Sequence, residues 1–375
     1  MFPSDDSLLA PLIHYSLLPF ATRYSLLTTM LSRVANGLYW MSRYVERAEN
    51  TARLVDVNLQ LMLNVRNLND TALNGYWQPI VESTGDVELF SQLYPKLTGQ
   101  KVSEFFVFQS ANPNSIVSAI GQARESARTV RDQITVELWE SLNRLYLYVN
   151  SAAARRRWED SPDEFFDEVR NGSLLLQGMA DATVVRNEGW LFVQAGRYIE
   201  RADKTSRMLD VRHASATNQA DALGWSAMLR SCSAWDAYKA LHGSDVRPRL
   251  VAEFLMLSPD FPRSGRFCIE QLNSALRRIS GVADGRFSND AEKLCGRLLA
   301  ELHFSSADDI FRPDLHSYID HFQARLNAID EALFQAYILQ AFENSSETAW
   351  RQQEEQQQQV FASRKPRFLR GKNLR

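Results

Sequence analysis

Two glutamates, Glu46 and Glu200, lie in matching arginine-rich segments of the 375-residue chain and could act as a general acid or base. The segment RYVERAENTARLVDV at 43–57 matches RYIERADKTSRMLDV at 197–211 over fifteen residues without a gap, and nine of these are identical. Guanidinium groups bind carboxylates and phosphates through paired hydrogen bonds. The candidate ligand-binding residues are therefore Arg43, Arg47, Asn50, Arg53, Arg197, Arg201 and Arg207.

Two structural interpretations of the repeated charges stand beside this functional one. Within each copy, Glu49–Arg53 and Asp203–Arg207 are four residues apart on a helix, and each such pair contributes about 0.2–0.5 kcal/mol. That contribution is too small to account for the whole motif. In the second interpretation, charges of one copy pair with charges of the other across a pseudo-twofold axis. The residues of this charged seam would be Arg43, Glu46, Arg197 and Glu200.

The first copy of the motif lies on a predicted long helix. Apolar residues occur at 31, 34, 38, 41, 45, 48, 52, 55, 59 and 62, which is an unbroken spacing of three and four residues. The part of this apolar seam from 38 to 55 recurs 154 residues later, from 192 to 209. When the seam takes the a and d positions of a heptad, the charged motif residues fall on other faces of the helix.

A second matched pair of motifs supports a duplicated unit. P-N-S at 113–115 and P-R-S at 262–264 each precede a predicted helix, and they are 149 residues apart. A solenoid would need more copies at a shorter period. The predicted fold class is therefore all-α, a helical bundle built from two pseudo-twofold-related repeats.

The rest of the chain is also patterned mainly as helix. Helical stretches are predicted at about 112–150, 162–213, 218–242, 246–257, 262–282, 288–303 and 313–342, and the one strand candidate is VSEFFVFQ at 102–109. Residues 1–29, with three prolines and no helical stripe, are predicted to be a non-native or disordered N-terminal extension. Residues 30–342 form the predicted helical domain, with repeat one at about 31–150 and repeat two at about 185–340. Residues 343–375 form a polar, basic tail that we expect to be disordered.

Composition argues against several classes of protein. The net charge of −3 and the pI of about 6.1 provide no basic field for nucleic acid. The sequence contains no run of 18 apolar residues, so no membrane-spanning helix is predicted. Three cysteines without a C-x-x-C pair indicate a reducing, cytoplasmic setting. Neither a glycine-rich phosphate loop nor an H-E-x-x-H motif occurs, so we predict no cofactor and no metal.

Four parts of the chain together resemble the bacterial alpha-E domain family. They are LSRVANGLYWMSRYVERAENTAR at 31–53; NPNSI, ARESARTVRDQI and ELWESLN within 112–143; EGWLFVQAGRYIERADKTSR at 188–207; and FPRSGRFCIEQLNSALRRISG at 261–281. The resemblance spans about residues 30–340. It implies an all-helical protein whose partners are a circularly permuted ATP-grasp ligase and a transglutaminase-like protein. The setting it implies is ATP-dependent amide or peptide bond formation.

The resemblance shapes three expectations about function. The glutamate for which the family is named would be Glu46, with Glu200 as its counterpart. The leading expectation is an accessory protein that binds the ligase, or its carboxylate or peptide substrate, through the repeated R-x-x-E-R faces. One alternative is an enzyme of the same pathway that uses Glu46 or Glu200 as general acid or base. The other is a purely structural interaction scaffold, and whether the protein is an enzyme stays open.

Overall fold

The computed structural model describes residues 32–64, 77–82, 84–215, 222–283, 285–312 and 314–339. Helices dominate this part of the chain and it contains no β-strand, which confirms the all-α prediction. The helices are α1 (Ser32–Asn64), α2 (Val87–Leu93), α3 (Gly99–Val107), α4 (Ile116–Thr129), α5 (Val136–Val149), α6 (Ala152–Asp160), α7 (Pro162–Thr183), α8 (Glu188–Ser215), α9 (Ala222–Ser231), α10 (Trp235–His242), α11 (Pro248–Leu257), α12 (Gly265–Ser280), α13 (Asp290–Phe304), α14 (Ala307–Phe311) and α15 (Leu315–Phe334). Residues 77–82 are also helical, and Gln335–Leu339 continue α15 as a π-helical turn.

The two motif segments lie on α1 and α8, the central helices of the bundle. The predicted apolar seam of α1 is buried, with Leu38, Val45, Ala48 and Val55 almost fully inaccessible to solvent. α1 packs against α8, α4 and α7, while α8 packs also against α12 and α15. Because both helices have neighbours on several sides, more than one face of each is covered. The charged face is one of these covered faces.

α1 and α8 approach closely where Gly196 faces the backbone of Tyr39. A Cβ atom built at Gly196 would lie 2.3 Å from the carbonyl oxygen of Tyr39. Only a residue without a side chain fits there, because real Cβ contacts are essentially never shorter than 3.0 Å. This near contact of two backbones brings the charged motifs of the two helices within hydrogen-bonding distance of each other.

The predicted strand at 102–109 is wrong, since most of this segment belongs to α3. Thr98 caps the helix by accepting a hydrogen bond from the backbone N–H of Lys101. Val102, Phe105 and Phe106 are buried on its inner face. Their spacing of three and four residues is helical, and the run of apolar residues in VSEFFVFQ obscured it in the sequence.

The longer predicted stretches are interrupted by helix caps. The stretch at 162–213 divides into α7 and α8, because Val184 adopts an extended conformation and Asn187 accepts a hydrogen bond from the N–H of Trp190. The stretch at 112–150 divides into α4 and α5, where Thr135 caps α5. These caps are short polar side chains without a flanking glycine or proline, so the helical periodicity hid them.

The matched P-x-S motifs each precede a helix, as predicted, and the serine of each is the N-cap. Ser115 caps α4 and Ser264 caps α12, each accepting a hydrogen bond from the N–H three residues later. The pseudo-twofold relation and the repeat boundaries stay predictions. The predicted extension at 1–29 and tail at 343–375 lie outside the described residues. In the part of the chain that the structure covers, no helix has the length and apolarity needed to cross a membrane.

Candidate functional site

Glu46 and Glu200 lie at the interface of α1 and α8, and neither side chain has any solvent exposure. Glu46 accepts hydrogen bonds from Nε and Nη2 of Arg201 at 2.8 and 2.9 Å. Glu200 accepts hydrogen bonds from Nε and Nη2 of Arg47 at 2.6 and 3.0 Å. Each glutamate therefore binds the arginine of the other helix in bidentate geometry, the strongest form of this ion pair.

The two pairs are reciprocal in the sequence as well as in space. The dipeptide Glu-Arg occurs at 46–47 and at 200–201 and nowhere else in the chain. Each dipeptide supplies a glutamate to one ion pair and an arginine to the other. We call this set of four residues, Glu46, Arg47, Glu200 and Arg201, the crossed Glu-Arg pairs.

Around Glu46, further donors come from two helices and a loop. Asn50 of α1 donates from Nδ2 at 3.0 Å, and Gln177 of α7 donates from Nε2 at 2.9 Å. Arg263, just before α12, lies 3.3 Å from Glu46 through Nη1 and also binds Glu49. Five donor groups thus converge on one carboxylate whose oxygens have no access to water.

Around Glu200, the surroundings differ. Arg43 donates from Nε at 2.9 Å, and its Nη1 lies 2.6 Å from Asp330 of α15. Asp330 also accepts a hydrogen bond from the hydroxyl of Tyr39. Lys204 lies 3.6 Å from Glu200 on the same helix. This half of the cluster therefore connects α1, α8 and α15.

The intrahelical pairs occur as predicted. Nη2 of Arg53 lies 2.8 Å from Glu49, and Nε of Arg207 lies 2.9 Å from Asp203. The proposed seam is present in altered form, since Arg43 does bind Glu200. Arg197 instead binds Asp181 at 2.8 Å, because its side chain points toward α7. The crossed arginines are those that directly follow the glutamates.

The electrostatics hold both glutamates in the ionised form. Burial alone would raise the pKa of Glu46, but Arg201 and Arg263 lower that pKa to about 2. Burial likewise opposes ionisation of Glu200, and Arg47, Lys204 and Arg43 bring its pKa well below the ordinary value. A general acid or base works best when its pKa lies near the operating pH. Neither carboxylate meets that condition near neutral pH.

Two small cavities, each of about 20 Å³, border the cluster. One is lined mainly by apolar side chains, with Gln177 and Arg197 on its polar side. The other is lined by Arg47, Lys204 and Arg207 together with polar and apolar neighbours. Neither Glu46 nor Glu200 lines either cavity, so neither reaches a substrate-sized space there. The catalytic and ligand-binding roles of the motif residues stay predictions.

Several residues of the cluster were not predicted from the sequence. Arg263 belongs to the P-R-S motif, so the matched motif pair was an available signal. Gln177 and Asp330 lie far from the repeated segments in sequence, and only the packing of α7 and α15 brings them in.

A separate group of potential metal ligands lies at the surface. One ligand atom each of Asp210, His316 and Asp320 falls within 4.8 Å of the others. Nδ1 of His316 is 2.8 Å from Asp210, and Nε2 is 3.4 Å from Asp320. Hydrogen bonding to Asp210 raises the pKa of the imidazole. The two aspartates thus account for both ring nitrogens, Asp210 by a contact from α8 to α15 and Asp320 by a contact within α15.

Comparison with known proteins gives one family. The family model Alpha-E, described as a predicted alpha-helical domain with a conserved ER motif, matches residues 30–338. Uncharacterised proteins of Mycobacterium bovis and of two strains of Mycobacterium tuberculosis are 24% identical over 303 residues. The match covers 74% of this chain and 33% of each relative, so the chain spans about a third of the length of these curated relatives. No solved structure matches it.

Proposed function

The chain belongs to the Alpha-E family, and from this premise we propose that it is a cytoplasmic, non-enzymatic accessory module of an ATP-grasp-dependent amide-forming system. Its proposed partners are a circularly permuted ATP-grasp ligase and a transglutaminase-like protein. In this proposal the family's ER motif has an architectural role, and the outer surfaces of the bundle bind the partner.

One observation carries the proposal. The two Glu-Arg dipeptides, Glu46-Arg47 and Glu200-Arg201, neutralise each other across α1 and α8, and both glutamates are fully buried. Removing one member of a buried ion pair leaves an uncompensated charge and costs about 3–5 kcal/mol. In this proposal the two pairs fix how α1 and α8 meet, whereas catalysis would need a group that touches substrate. The motif is therefore better suited to specifying a rigid shape than to performing a reaction.

The relatives support a modular role. In the mycobacterial proteins, the matching region accounts for only 33% of a longer chain. A region that makes up one third of a longer protein is what we expect of a unit used as a building block. An interaction module can be moved between chains in this way, because its fold does not depend on the other parts.

The test measures the ligase with and without this protein. The proposed partner, a circularly permuted ATP-grasp ligase from the same organism, is purified and assayed for ATP hydrolysis and amide formation. We expect the protein to bind the ligase and to change its amide-forming rate, while the protein alone forms no amide. The variants Glu46→Gln and Glu200→Gln, examined at a temperature where each stays folded, should preserve that effect.

The outcomes separate an accessory protein from an enzyme. If a folded Glu46→Gln variant binds the ligase normally but loses all effect on amide formation, the glutamate acts chemically and the accessory proposal fails. If the wild-type protein neither binds the ligase nor alters its two rates, the assigned partner is wrong.

A further inference from the structure

We propose that the cavity beside Arg47, Lys204 and Arg207 is a binding site for a single carboxylate group carried on an aliphatic or peptide chain. The inference goes beyond the accessory role and does not depend on it, since it follows from the geometry of this cavity alone. The cavity lies between α1, α8 and the segment that precedes α4. We call it the lysine pocket.

The lysine pocket combines cations with an apolar wall. Arg47, Lys204 and Arg207 contribute positive charge, and Leu54, Phe106 and Met208 contribute apolar surface. Its enclosed part, about 20 Å³, has room for roughly one water-sized group. One oxygen of a carboxylate would occupy this space, and the aliphatic part of the ligand would lie against the apolar side chains.

A matched position elsewhere in the chain shows why this cavity is open. Arg263 of P-R-S corresponds to Asn114 of P-N-S. Arg263 extends its guanidinium into the cluster, where it binds Glu46, Glu49 and Asn50. The shorter Asn114 instead donates from Nδ2 to Asp86 at 2.9 Å. Asn114 therefore extends no guanidinium into the cluster, and the lysine pocket, which Asn114 lines, stays open.

The charge that Arg263 supplies near Glu46 is supplied near Glu200 by Lys204, which corresponds to Asn50. Its ammonium group is the most loosely held cation of this half. Nζ is 3.6 Å from Glu200 and 3.2 Å from Asp203. Each of these carboxylates is bound more closely by an arginine, at 2.6 Å from Arg47 and 2.9 Å from Arg207.

The N–H donors of Lys204 determine the class of ligand that the pocket could bind. Lysine carries three N–H donors, and both carboxylates near Lys204 already have a closer arginine partner. Arg47 lines the same pocket, and its hydrogen bonds to Glu200 use Nε and Nη2. Lys204 shares each of its two carboxylates with an arginine, so one further negative charge would balance the charge of the site. A monoanionic carboxylate therefore fits better than a dianionic phosphate, whose second charge would face Glu200 and Asp203.

The experiment compares an acid with its neutral isostere on the full-length protein. Butyrate and butyramide are titrated and followed by ligand-observed NMR, beside an acetylated tripeptide with a free or an amidated C-terminus. Inorganic phosphate is titrated separately. We expect the acids to bind at least about tenfold more tightly than the amides, which is the loss of one charged hydrogen bond. If butyrate binds more tightly than the tripeptide acid, the ligand is a small free acid. If the tripeptide acid binds more tightly, the ligand is the C-terminus of a peptide.

Two variants and one control test the location. Lys204→Met should weaken binding of the acid at least about tenfold. Asn114→Arg should abolish it, because the new side chain fills the pocket as Arg263 fills the matched space. Lys101→Met, which removes a cation from an exposed ion pair on α3, should have no effect. Circular dichroism and the unfolding midpoint establish that each variant is folded.

Asn114→Arg separates a pocket from general charge attraction, because it adds a positive charge while removing the space. Tighter binding of the acid by folded Asn114→Arg would overturn the proposal. Equal binding of acid and amide, unchanged binding by folded Lys204→Met, or preferential binding of phosphate would also overturn it.

Discussion

Gly196→Ala should destabilise the protein, although alanine favours helices more than glycine does. The new Cβ would lie 2.3 Å from the carbonyl oxygen of Tyr39, whereas ordinary contact begins at 3.4 Å. The obstacle is backbone of α1, so the two helices must separate by about 1 Å, and overpacking of this kind costs about 1–3 kcal/mol. The same shift would stretch the Glu46–Arg201 and Glu200–Arg47 hydrogen bonds, which lie between 2.6 and 3.0 Å.

The magnitude follows from two opposing effects. Helix propensity favours alanine by about 1 kcal/mol, so we expect Gly196→Ala to lower the free energy of unfolding by about 1 kcal/mol overall, and by about 2 kcal/mol at most. Gly178→Ala in α7 is the matched control, because nothing lies within 4 Å of its added Cβ. That variant should gain about 0.5–1 kcal/mol.

The assay is equilibrium unfolding in urea, followed by far-UV circular dichroism, with the slope m compared between variants. Equal or greater stability of Gly196→Ala than of wild type, alongside the expected gain in Gly178→Ala, would refute the close approach of α1 and α8. It would also remove the geometric basis of the crossed Glu-Arg pairs.

Three further predictions concern the buried charges. Glu46→Gln should lower the free energy of unfolding by about 3–5 kcal/mol because Arg201 and Arg263 lose their counter-ion. The control Glu125→Gln, in an exposed pair with Arg128, should lower it by less than about 1 kcal/mol. A urea titration of each variant gives both values. The lowered pKa of Glu46 means that the unfolded state takes up its proton first as the solution is acidified. The contribution of Glu46 to the free energy of unfolding should therefore be complete above about pH 4.5 and decrease toward pH 2. Thermal midpoints measured across that range should fall less steeply for Glu46→Gln than for wild type. Arg263→Met should destabilise the protein by more than about 2 kcal/mol in the same urea assay, because it leaves part of the charge on Glu46 and Glu49 uncompensated.

Sequence patterns determined the local features of the fold well. The three-and-four spacing on α1, the intrahelical Glu49–Arg53 pair and the caps at Ser115 and Ser264 depend on residues within one or two turns. For that reason they could be predicted without knowledge of the tertiary structure. The break at 184–187 was missed because Asn187 caps α8 without a glycine or proline beside it.

The surroundings of the glutamates could not be predicted in the same way. A heptad assignment separates the charged face of α1 from its apolar seam, but it does not say whether a neighbour covers that face. α7 covers it with Gln177, and the segment before α12 covers it with Arg263. These contacts depend on the packing of distant segments. Charges that a single helix pattern assigns to an outer face are therefore buried in the assembled bundle.

The crossed Glu-Arg pairs are tested most directly by a double-mutant cycle between Glu46 and Arg201, with Glu46→Gln, Arg201→Met and the double variant. Urea unfolding of the four proteins gives the coupling free energy, and an identical cycle on Glu125 and Arg128 provides the exposed control. We expect a coupling of at least about 1.5 kcal/mol between Glu46 and Arg201, and less than about 0.5 kcal/mol for the control. A coupling between Glu46 and Arg201 no larger than the control would contradict the conclusion that the ER motif joins α1 to α8.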